Sequence, residues 1–226
     1  MEAARYRQLL PEGNEIDALS YVDALEMRRQ QQDRPYVIAN FVASVDGRAT
    51  VGEDSRKLSG PADRELFYAL RERVDAVLIG TNTLAAERYK RMLPQAERRE
   101  RRANAGRQEE PLAVTVTRSG LVPRDVPLFE HEVLVFEGTE LEEVLRSLRY
   151  EHRVETLLCE GGPTLFAALL RAGLVDELFL TLAPSVVGGA SGPALISGAP
   201  LQRHADVELR AVLEHDATLF LRYRIS

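Results

Sequence analysis

The chain has 226 residues, of which 45% are hydrophobic and 28% are charged, as in ordinary globular proteins. Its 29 basic and 35 acidic side chains give a net charge of −6, which argues against a general polyanion binder. Cys159 is the only cysteine, which excludes an internal disulfide and a metal site built from paired cysteines. The sequence shows neither the apolar core of a signal peptide nor an apolar run of the ~20 residues that span a bilayer. We therefore expect a cytoplasmic protein without a membrane partner.

The N-terminal residues carry a helical pattern. Within residues 15–30, Ile16, Leu19, Val22 and Leu25 follow each other at helical spacing. Pro35 then imposes an extended backbone on the residue before it. The sequence therefore predicts an N-terminal helical extension over residues 1–34, followed by a single domain over residues 35–226.

Apolar runs in the rest of the chain predict strands that first alternate with helices and later do not. Strands are predicted at 36–43, 75–80, 112–117, 133–136 and 154–159, and helices at 61–73, 140–150 and 163–173. This alternation indicates a mostly parallel sheet. The runs at 176–184, 206–215 and 217–225 have only loops between them and predict antiparallel strands at one edge. The predicted fold class is therefore α/β, with a mixed central sheet flanked by helices.

The segment 88–111 is crowded with basic residues and has few apolar ones. This composition predicts a solvated loop or a short exposed helix. Two alternatives stay open, a nucleic-acid patch and a contact of Arg88, Lys90 or Arg91 with a phosphate. The first is disfavoured because aromatic residues are missing between the charges and the whole chain is acidic. No nucleic-acid partner is expected.

Three predicted strands end in residues that are suited to ligand binding. "VASVDG" ends in Asp46, which also fits a plain Asp-Gly turn. "IGTNT" begins at Ile79 and includes Gly80 and Thr83, whose backbone and hydroxyl groups fit either phosphate oxygens or a helix cap. Since ligands bind outside the carboxyl ends of strands in open α/β sheets, one cleft could collect all three strand ends.

The third strand end lies in "LLCEGGPTLFAALLRAG", where Glu160, two glycines and a proline stand between a strand and a helix. Gly161 and Gly162 would let the backbone approach a ligand closely, because they have no Cβ. Pro163 presets the first helical turn, and Thr164 can cap the helix or bind phosphate. The unit fits a dinucleotide phosphate cradle, although glycine is common at such helix starts.

Together with their spacing, "YVIANFVASVDGRAT", "DAVLIGTNTL" and "LLCEGGPTLFAALLRAGLVDELFLTLAPSVVGG" resemble the reductase domain of bacterial bifunctional riboflavin-biosynthesis deaminase/reductases. The resemblance runs from about Pro35 to the end of the chain. It implies a dihydrofolate-reductase-like fold, a homodimer, and NADPH-dependent reduction of a phosphoribosylamino-pyrimidine to its ribitylamino form. The cysteine and histidine motif of the fused zinc deaminase is absent from this sequence.

The resemblance also implies roles for particular residues. Asp46 and Glu160 would be orienting groups, with no catalytic base assigned. Ser55, Arg71 and Glu160 would contact the substrate, with Arg71 on its phosphate and Glu160 on the pyrimidine donors. The implied cofactor contacts are Val42, Ser59, Gly80, Thr83, Glu87, Gly161, Gly162, Pro163, Thr164, Leu165 and Phe166. Glu87 stands where the family has the acid of an Asp-x-Pro turn, and no tryptophan precedes the first long helix.

Two alternative functions stay open. The first is a reductase of the same fold that acts with NADPH on another substrate, such as a pterin or dihydrofolate. A folate reductase would place an acid of the first long helix in its pocket, and Asp63, Glu65 and Glu72 are available. The second is a non-catalytic protein that binds a nucleotide in the Gly-Gly cradle.

Overall fold

A computed structural model describes residues 4–27, 33–50, 55–189, 194–196, 198, 201 and 204–226. Within these ranges one ten-stranded sheet has the order β2-β1-β9-β10-β8-β3-β7-β4-β5-β6. Its strands are β1 Arg5–Leu10, β2 Ile16–Asp17, β3 Tyr36–Ser44, β4 Ala76–Gly80, β5 Leu112–Thr117, β6 Val133–Glu137, β7 Thr156–Cys159, β8 Glu177–Ala183, β9 Val207–His215 and β10 Thr218–Ile225. The helices are α1 Ala18–Asp23, α2 Pro61–Arg73, α3 Thr81–Glu87, α4 Ala96–Asn104, α5 Leu141–Tyr150 and α6 Pro163–Arg171.

The sheet has a parallel half and an antiparallel half. Strands β8, β3, β7, β4, β5 and β6 run parallel to one another. Helices lie in most of the connections between them, as parallel crossovers require. β10 pairs antiparallel with both β8 and β9, and β1 pairs antiparallel with β9. The predicted mixed sheet with antiparallel C-terminal strands is confirmed.

The hydrophobic core lies on both faces of the parallel half. On β3, Ile38 belongs to one buried cluster, whereas Val37 and Ala39 belong to the other. This division follows from the strand period of two, which sends successive side chains to opposite faces. A strand that is covered on both faces reads as a continuous apolar run, which explains why β3 could be recognised from sequence. None of the helices within the described ranges has the length and hydropathy that a membrane crossing requires.

The N-terminal segment differs from the predicted helical extension. Residues 5–10 form β1, which pairs with β9 in the main sheet, and α1 covers only Ala18–Asp23. The side chain of Asp17 caps α1 by accepting a hydrogen bond from the backbone N–H of Ser20 at 2.9 Å. Buried Tyr6 on β1 donates its hydroxyl to the carbonyl of Ala62 at 2.6 Å. Sheet pairing thus joins this segment to the rest of the fold. The predicted boundary between an N-terminal extension (residues 1–34) and a single domain (residues 35–226) stays a prediction.

The basic segment 88–111 also differs from its prediction. It contains α4, whose Arg98 and Arg102 are buried. Arg98 forms ion pairs with Glu65 and Glu72, each at 2.9 Å. The expected solvated or exposed state is therefore wrong for these two arginines, because Arg98 pairs with carboxylates on α2 and Arg102 donates to backbone carbonyls.

Arg102 satisfies backbone groups where α2 ends. It donates to the carbonyls of Glu72, Val74 and Gln108 at 2.7, 2.8 and 2.8 Å. The last carbonyls of a helix have no partner within the helix, so a side-chain donor there replaces water. Burial lowers the pKa of the Arg102 guanidinium to about 10, which leaves it charged at neutral pH.

We expect the Arg102→Met substitution to lower the free energy of unfolding by about 2–4 kcal/mol, because it leaves buried carbonyls without a donor. The matched control is Arg101→Met, since Arg101 is half-exposed and pairs with Glu72 from the surface. That control should cost less than about 1 kcal/mol. Urea unfolding measures both values, and equal losses would show that the carbonyl contacts of Arg102 are unimportant.

Candidate active site

The candidate site lies where the short strand β7 ends between two neighbours that continue. β7 pairs with residues 36–39 of β3 and 76–78 of β4 and stops at Cys159. β3 continues to Ser44, and β4 continues to Gly80. The two strands are no longer bridged beyond that point, and a cleft of about 1100 Å³ opens there. Its position at the carboxyl ends of parallel strands is the usual place for a ligand in such a sheet.

The cleft is large, and its lining residues come from all three strand ends that the sequence singled out. Its volume is slightly above the ~300–1,000 Å³ range of ligand pockets. The principal lining residues are Asn40, Phe41, Val42, Thr50, Arg56, Ser59, Asp63, Arg64, Phe67, Tyr68, Gly80, Thr81, Asn82, Thr83, Glu87, Tyr89, Val116, Thr117, Arg118, Thr139, Glu160, Gly162, Pro163, Thr164, Leu165 and Arg171.

The turn after β7 is held by backbone contacts with the end of β4. The N–H of Glu160 donates to the carbonyl of Leu78 at 3.1 Å, and the N–H of Gly80 donates to the carbonyl of Gly161 at 2.5 Å. A Cβ on Gly80 would lie 3.1 Å from the backbone nitrogen of Gly162. The glycines thus allow a close approach between the end of β4 and the turn after β7, and not only the predicted approach of a ligand. Gly80 and Gly162 also line the cleft, and their cofactor contacts stay predictions.

Gly161 and Phe166 do not line the cleft, unlike their predicted neighbours. Gly161 has a φ of +86°, and a Cβ there would lie 2.9 Å from the ring of Phe41. Phe166 is buried and packs against Phe41 with ring centroids 4.6 Å apart. The predicted cofactor contact of Phe166 does not fit this position, because its ring belongs to the core beneath the turn.

Arg71 and Glu160 form a buried ion pair. The Nε and Nη2 atoms of Arg71 donate to the two carboxylate oxygens of Glu160 at 2.5 and 2.6 Å, and its Nη1 donates to the carbonyl of Met92 at 2.8 Å. Burial lowers the pKa of Arg71, but Glu160 outweighs this effect and leaves the pKa above its usual value. Arg71 therefore stays a charged guanidinium.

The predicted contact of Arg71 with the substrate phosphate is wrong for this geometry. Arg71 is 1% exposed, and each of its three nitrogen atoms already donates to a protein oxygen. Glu160, in contrast, lines the cleft as the sequence predicted. Arg71 thus acts from behind the cleft wall, by holding the carboxylate of Glu160 in one orientation.

Aromatic rings enclose this ion pair. The guanidinium carbon of Arg71 lies 4.2 Å from the ring centroid of Phe67 and 4.8 Å from that of Tyr89. Phe67, Tyr68 and Tyr89 also line the cleft. Burial, and then the charge of Glu160, raise the pKa of Tyr89 above its usual range, so its hydroxyl stays protonated. No sequence motif marked these aromatic residues as site residues, although Phe67 and Tyr68 precede Arg71 by about one helical turn.

Helix α6 directs its first turn at the cleft. Its N-cap is Gly162, and within the described part of the chain no side chain caps the free N–H groups of the first turn. Pro163, Thr164 and Leu165 line the cleft beside Thr83. Uncapped backbone donors and the positive end of the helix dipole favour an anionic group at this position.

Asp46 lies outside the cleft lining and has a structural role. It accepts hydrogen bonds from the hydroxyl of Ser44 at 2.6 Å and from the N–H groups of Val187 and Gly188 at 3.0 and 2.8 Å. These bonds hold the pKa of Asp46 well below its usual range. The prediction that Asp46 orients a ligand does not fit, because its carboxylate instead fastens the turn after β3 to the loop after β8.

The other predicted residues fall into two groups. Val42, Ser59 and Glu87 line the cleft, and their implied cofactor contacts stay predictions. Ser55 begins a short 3-10 helix, but its side chain lies outside the described part of the structure, so its substrate contact stays a prediction.

Of the three acids considered on α2, only Asp63 lines the cleft. Asp63 is buried and accepts a hydrogen bond from the hydroxyl of Ser59 at 2.5 Å. Burial raises its pKa above the usual range, against the opposite effect of hydrogen bonds from Ser59 and Thr181. Glu65 and Glu72 instead pair with Arg98 behind the helix.

Comparison with known proteins decides the family. The family described as the RibD C-terminal domain matches residues 35–218. The chain belongs to the RibD C-terminal domain family. The resemblance that the sequence motifs indicated is thereby confirmed.

Members of the family with similar length include two archaeal enzymes named 2,5-diamino-6-ribosylamino-4(3H)-pyrimidinone 5′-phosphate reductase. The one from Archaeoglobus fulgidus is 30% identical over 77% of this chain and 92% of its own length. The one from Methanothermobacter thermautotrophicus is 28% identical over 82% of this chain and 94% of its own length. A solved pyrimidine reductase-like protein from Corynebacterium diphtheriae shares the fold, with a TM-score of 0.77, 20% identity, and coverage of 93% of this chain and 99% of its own.

In this RibD C-terminal domain, we expect Gly161→Ala to lower the free energy of unfolding by about 2–4 kcal/mol, since the new Cβ adds a contact with Phe41 to the strain of a positive φ. Gly173→Ala is the matched control, because Gly173 has a φ of +65° and open space where the Cβ would be. It should cost about 1–2 kcal/mol. Denaturant unfolding compares the two, and equal costs would argue against the Phe41 contact.

We expect Arg71→Met to cost about 3–5 kcal/mol, because it leaves the buried carboxylate of Glu160 unpaired. Adding Glu160→Gln should restore at least ~2 kcal/mol of that loss, since the unpaired charge is then gone. Arg73→Met is the control on the same helix, where the half-exposed pair with Asp23 predicts a loss below about 1 kcal/mol. Additive losses in the double variant, measured by urea unfolding, would contradict coupling between Arg71 and Glu160.

Proposed function

We propose that the protein reduces a phosphoribosylamino-pyrimidine to its ribitylamino form with NADPH, the reaction type of riboflavin biosynthesis. The observation that supports this most is the Glu160 carboxylate, fixed by Arg71 in the wall of a cleft of about 1100 Å³. The names of the two archaeal relatives support a 2,5-diamino-pyrimidinone as the substrate. The chain is thus proposed to be an oxidoreductase whose cleft holds two ligands side by side.

Glu160 is suited to an aminopyrimidine because it can only accept hydrogen bonds. Both of its oxygens already accept from Arg71, so the carboxylate keeps a fixed direction. Its remaining lone pairs can accept from the ring N–H and amino groups of a pyrimidine. Phe67, Tyr68 and Tyr89 supply apolar surface beside it. A purely acceptor site would disfavour a ring edge that presents carbonyl oxygens.

The residues around α6 fit a nicotinamide dinucleotide. The uncapped first turn of α6 offers backbone donors for a pyrophosphate, and the hydroxyls of Thr83 and Thr164 lie along the same wall. When bound, the cofactor supplies the hydride of the reaction. Val42, Ser59 and Glu87 would complete its contacts, in keeping with their place in the lining.

The phosphate of the substrate needs a cation other than Arg71. The cleft is lined by four further arginines, which are Arg56, Arg64, Arg118 and Arg171. Arg56 and Arg64 lie near the first turn of α2, where Arg64 donates to the carbonyl of Ser59 at 2.6 Å. We assign the substrate phosphate to this end of the cleft. Arg118 and Arg171 lie at the α6 end, where they would face the cofactor.

One observation favours a second candidate function. Asp63 lines the cleft from the first long helix, where a reductase of a pterin or dihydrofolate would have its acid. Binding of a nucleotide without turnover is the third candidate.

We also propose a cytoplasmic homodimer. Its contact would involve the antiparallel half of the sheet, where Leu9, Leu10, Val207 and Leu209 of β1 and β9 have exposed apolar side chains. Exposed apolar residues on neighbouring strands suit a contact between two copies.

The decisive experiment follows NADPH absorbance with purified protein and one candidate substrate at a time. The substrates are 2,5-diamino-6-ribosylamino-4(3H)-pyrimidinone 5′-phosphate, its 2-oxo analogue, dihydrofolate, and none. We expect oxidation with the phosphorylated diaminopyrimidine and none without substrate. Glu160→Gln should lower kcat/KM about 10–100-fold, because loss of a charged hydrogen bond costs about 1.5–3 kcal/mol.

Each alternative outcome has a definite meaning. Oxidation with dihydrofolate alone would replace the proposed function by the second candidate. Saturable NADPH binding without turnover on any substrate would favour the third. Faster turnover of the 2-oxo analogue would show that Glu160 does not accept a hydrogen bond from the 2-amino group of the pyrimidine ring.

A further inference from the structure

Asp63 is a buried acid in the cleft that the proposed contacts with substrate and cofactor leave unexplained. It is 7% exposed and occupies the first turn of α2, facing the end of the cleft beside β3. Its hydrogen bond with Thr181 places it over β8, and Thr181 pairs with Val42 in the β3–β8 ladder. Asp63 therefore lies one strand away from Val42, which also lines the cleft.

The spacing along α2 separates Asp63 from the end of the cleft that holds Glu160. Asp63 and Arg71 are eight residues apart, which corresponds to about 12 Å along a helix at ~1.5 Å per residue. Arg71 marks the position of Glu160, because the two are paired. A pyrimidine held by Glu160 would thus direct its ribosylamino substituent along α2 towards Asp63.

The surroundings of Asp63 keep its carboxyl group protonated over a wider pH range than usual. Among the described residues, the groups that face it are Ser59 from the turn before α2, Arg64 on α2, Thr181 on β8 and Tyr6 on β1. Arg64 is exposed and is the only cation among them, while Tyr6 donates its hydroxyl to Ala62. Burial outweighs the hydrogen bonds and this charge, so the pKa of Asp63 is raised.

We propose that Asp63 is the proton donor of the reaction and protonates the ring oxygen of the substrate ribose. This inference rests on the proposed function. Reduction of a ribosylamine to a ribitylamine requires one hydride and one proton, and the proton must reach the oxygen that becomes a hydroxyl. Within the described residues, Asp63 is the cleft-lining acid that combines burial with the absence of an arginine partner in hydrogen-bonding contact.

The proposed reaction transfers one proton to O4′ and one hydride to C1′ of the ribose. The bond between C1′ and O4′ breaks, and its electron pair goes to O4′, which takes the proton of Asp63. The lone pair of the amino nitrogen forms a double bond to C1′. C1′ then accepts the hydride of NADPH, and the electron pair of the double bond returns to nitrogen. NADP⁺ and the open-chain ribitylamine are the products, and the Asp63 carboxylate regains a proton from water.

The test compares Asp63→Asn with Glu65→Gln, the matched control on the same helix, across a pH series. We expect Asp63→Asn to lower kcat about 10²–10⁴-fold, the usual contribution of a general acid, with little change in the Kd for NADPH. Because only the protonated form donates, the wild-type rate should fall as pH rises through the raised pKa of Asp63. Asp63→Asn should abolish this alkaline limb, whereas Glu65→Gln should keep both rate and limb.

Ser59→Ala separates a chemical role from a structural one. The hydroxyl of Ser59 stabilises the ionised form of Asp63, so its removal should move the alkaline limb to higher pH. A structural role alone predicts a lower rate at every pH and an unmoved limb. An unmoved limb in Ser59→Ala, or a limb that survives in Asp63→Asn, would overturn the proposal.

A titration of the free protein supplies a readout apart from turnover. In protein labelled with ¹³C-aspartate, we expect one carboxyl resonance that titrates above the ordinary range of aspartic acid and is missing in Asp63→Asn. A resonance of Asp63 that titrates in the ordinary range would also overturn the proposal. If the wild-type protein fails to turn over the pyrimidine at any pH, the proposed function fails instead, and the ¹³C result still reports on Asp63 itself.

Stability gives a check that Asp63→Asn folds. Since the folded-state pKa of Asp63 is raised, its contribution is fully present below the unfolded pKa and is lost as pH rises through the folded pKa. The Tm of Asp63→Asn relative to wild type should therefore increase with pH. A fall in its relative Tm with rising pH would show that the ionised carboxylate is the stabilising form, which contradicts a proton donor.

Discussion

The ion pair between Arg71 and Glu160 is the interaction on which the candidate site depends. It joins α2 to the turn after β7, two elements that lie 89 residues apart in the sequence. A buried charge without its partner is costly, so each member requires the other. The pair also lies directly beyond the short β7, since Glu160 follows the last residue of that strand. Strand length, helix position and ligand recognition are therefore coupled through one contact.

The glycines around Glu160 are best understood from the same constraint. Gly80 and the Gly161–Gly162 turn bring two backbones together, and side chains at these positions would collide with the neighbouring segment or with Phe41. The turn can thus stay close to β4 while its acid is directed towards α2. Flexibility is not the function of these residues. They allow a tight crossing that fixes the direction of Glu160 and leaves the first turn of α6 open to the cleft.

Most of the fold could be predicted from the sequence because its parallel strands are buried on both faces and give continuous apolar runs. β1 was missed, since its alternation is short and its pairing with β9 joins the two ends of the chain. The lining of the cleft was predictable where a residue type matched a motif, as for Glu160 and Thr83, whose ligand contacts stay predictions. Arg71 was placed wrongly, because a guanidinium suits a phosphate and a carboxylate equally well. Only the fold shows that Glu160 is the partner.

Three acids near the site illustrate how environment decides what a carboxyl group does. Asp46 accepts backbone hydrogen bonds at the surface and is held ionised, which suits a structural tie. Glu160 is buried but paired with a guanidinium, so it is an acceptor of fixed direction. Asp63 is buried with hydroxyl partners, and its neutral form is favoured. In the sequence all three are acids at or near the end of a strand or the start of a helix. Burial and hydrogen-bond partners give them different roles, since Asp46 is a structural tie, Glu160 an acceptor and Asp63 a donor. The two environments lie at different positions along α2, with Asp63 in its first turn and Arg71, the partner of Glu160, in its last turn. The cleft can therefore offer a negative charge to the pyrimidine and a proton to the ribose.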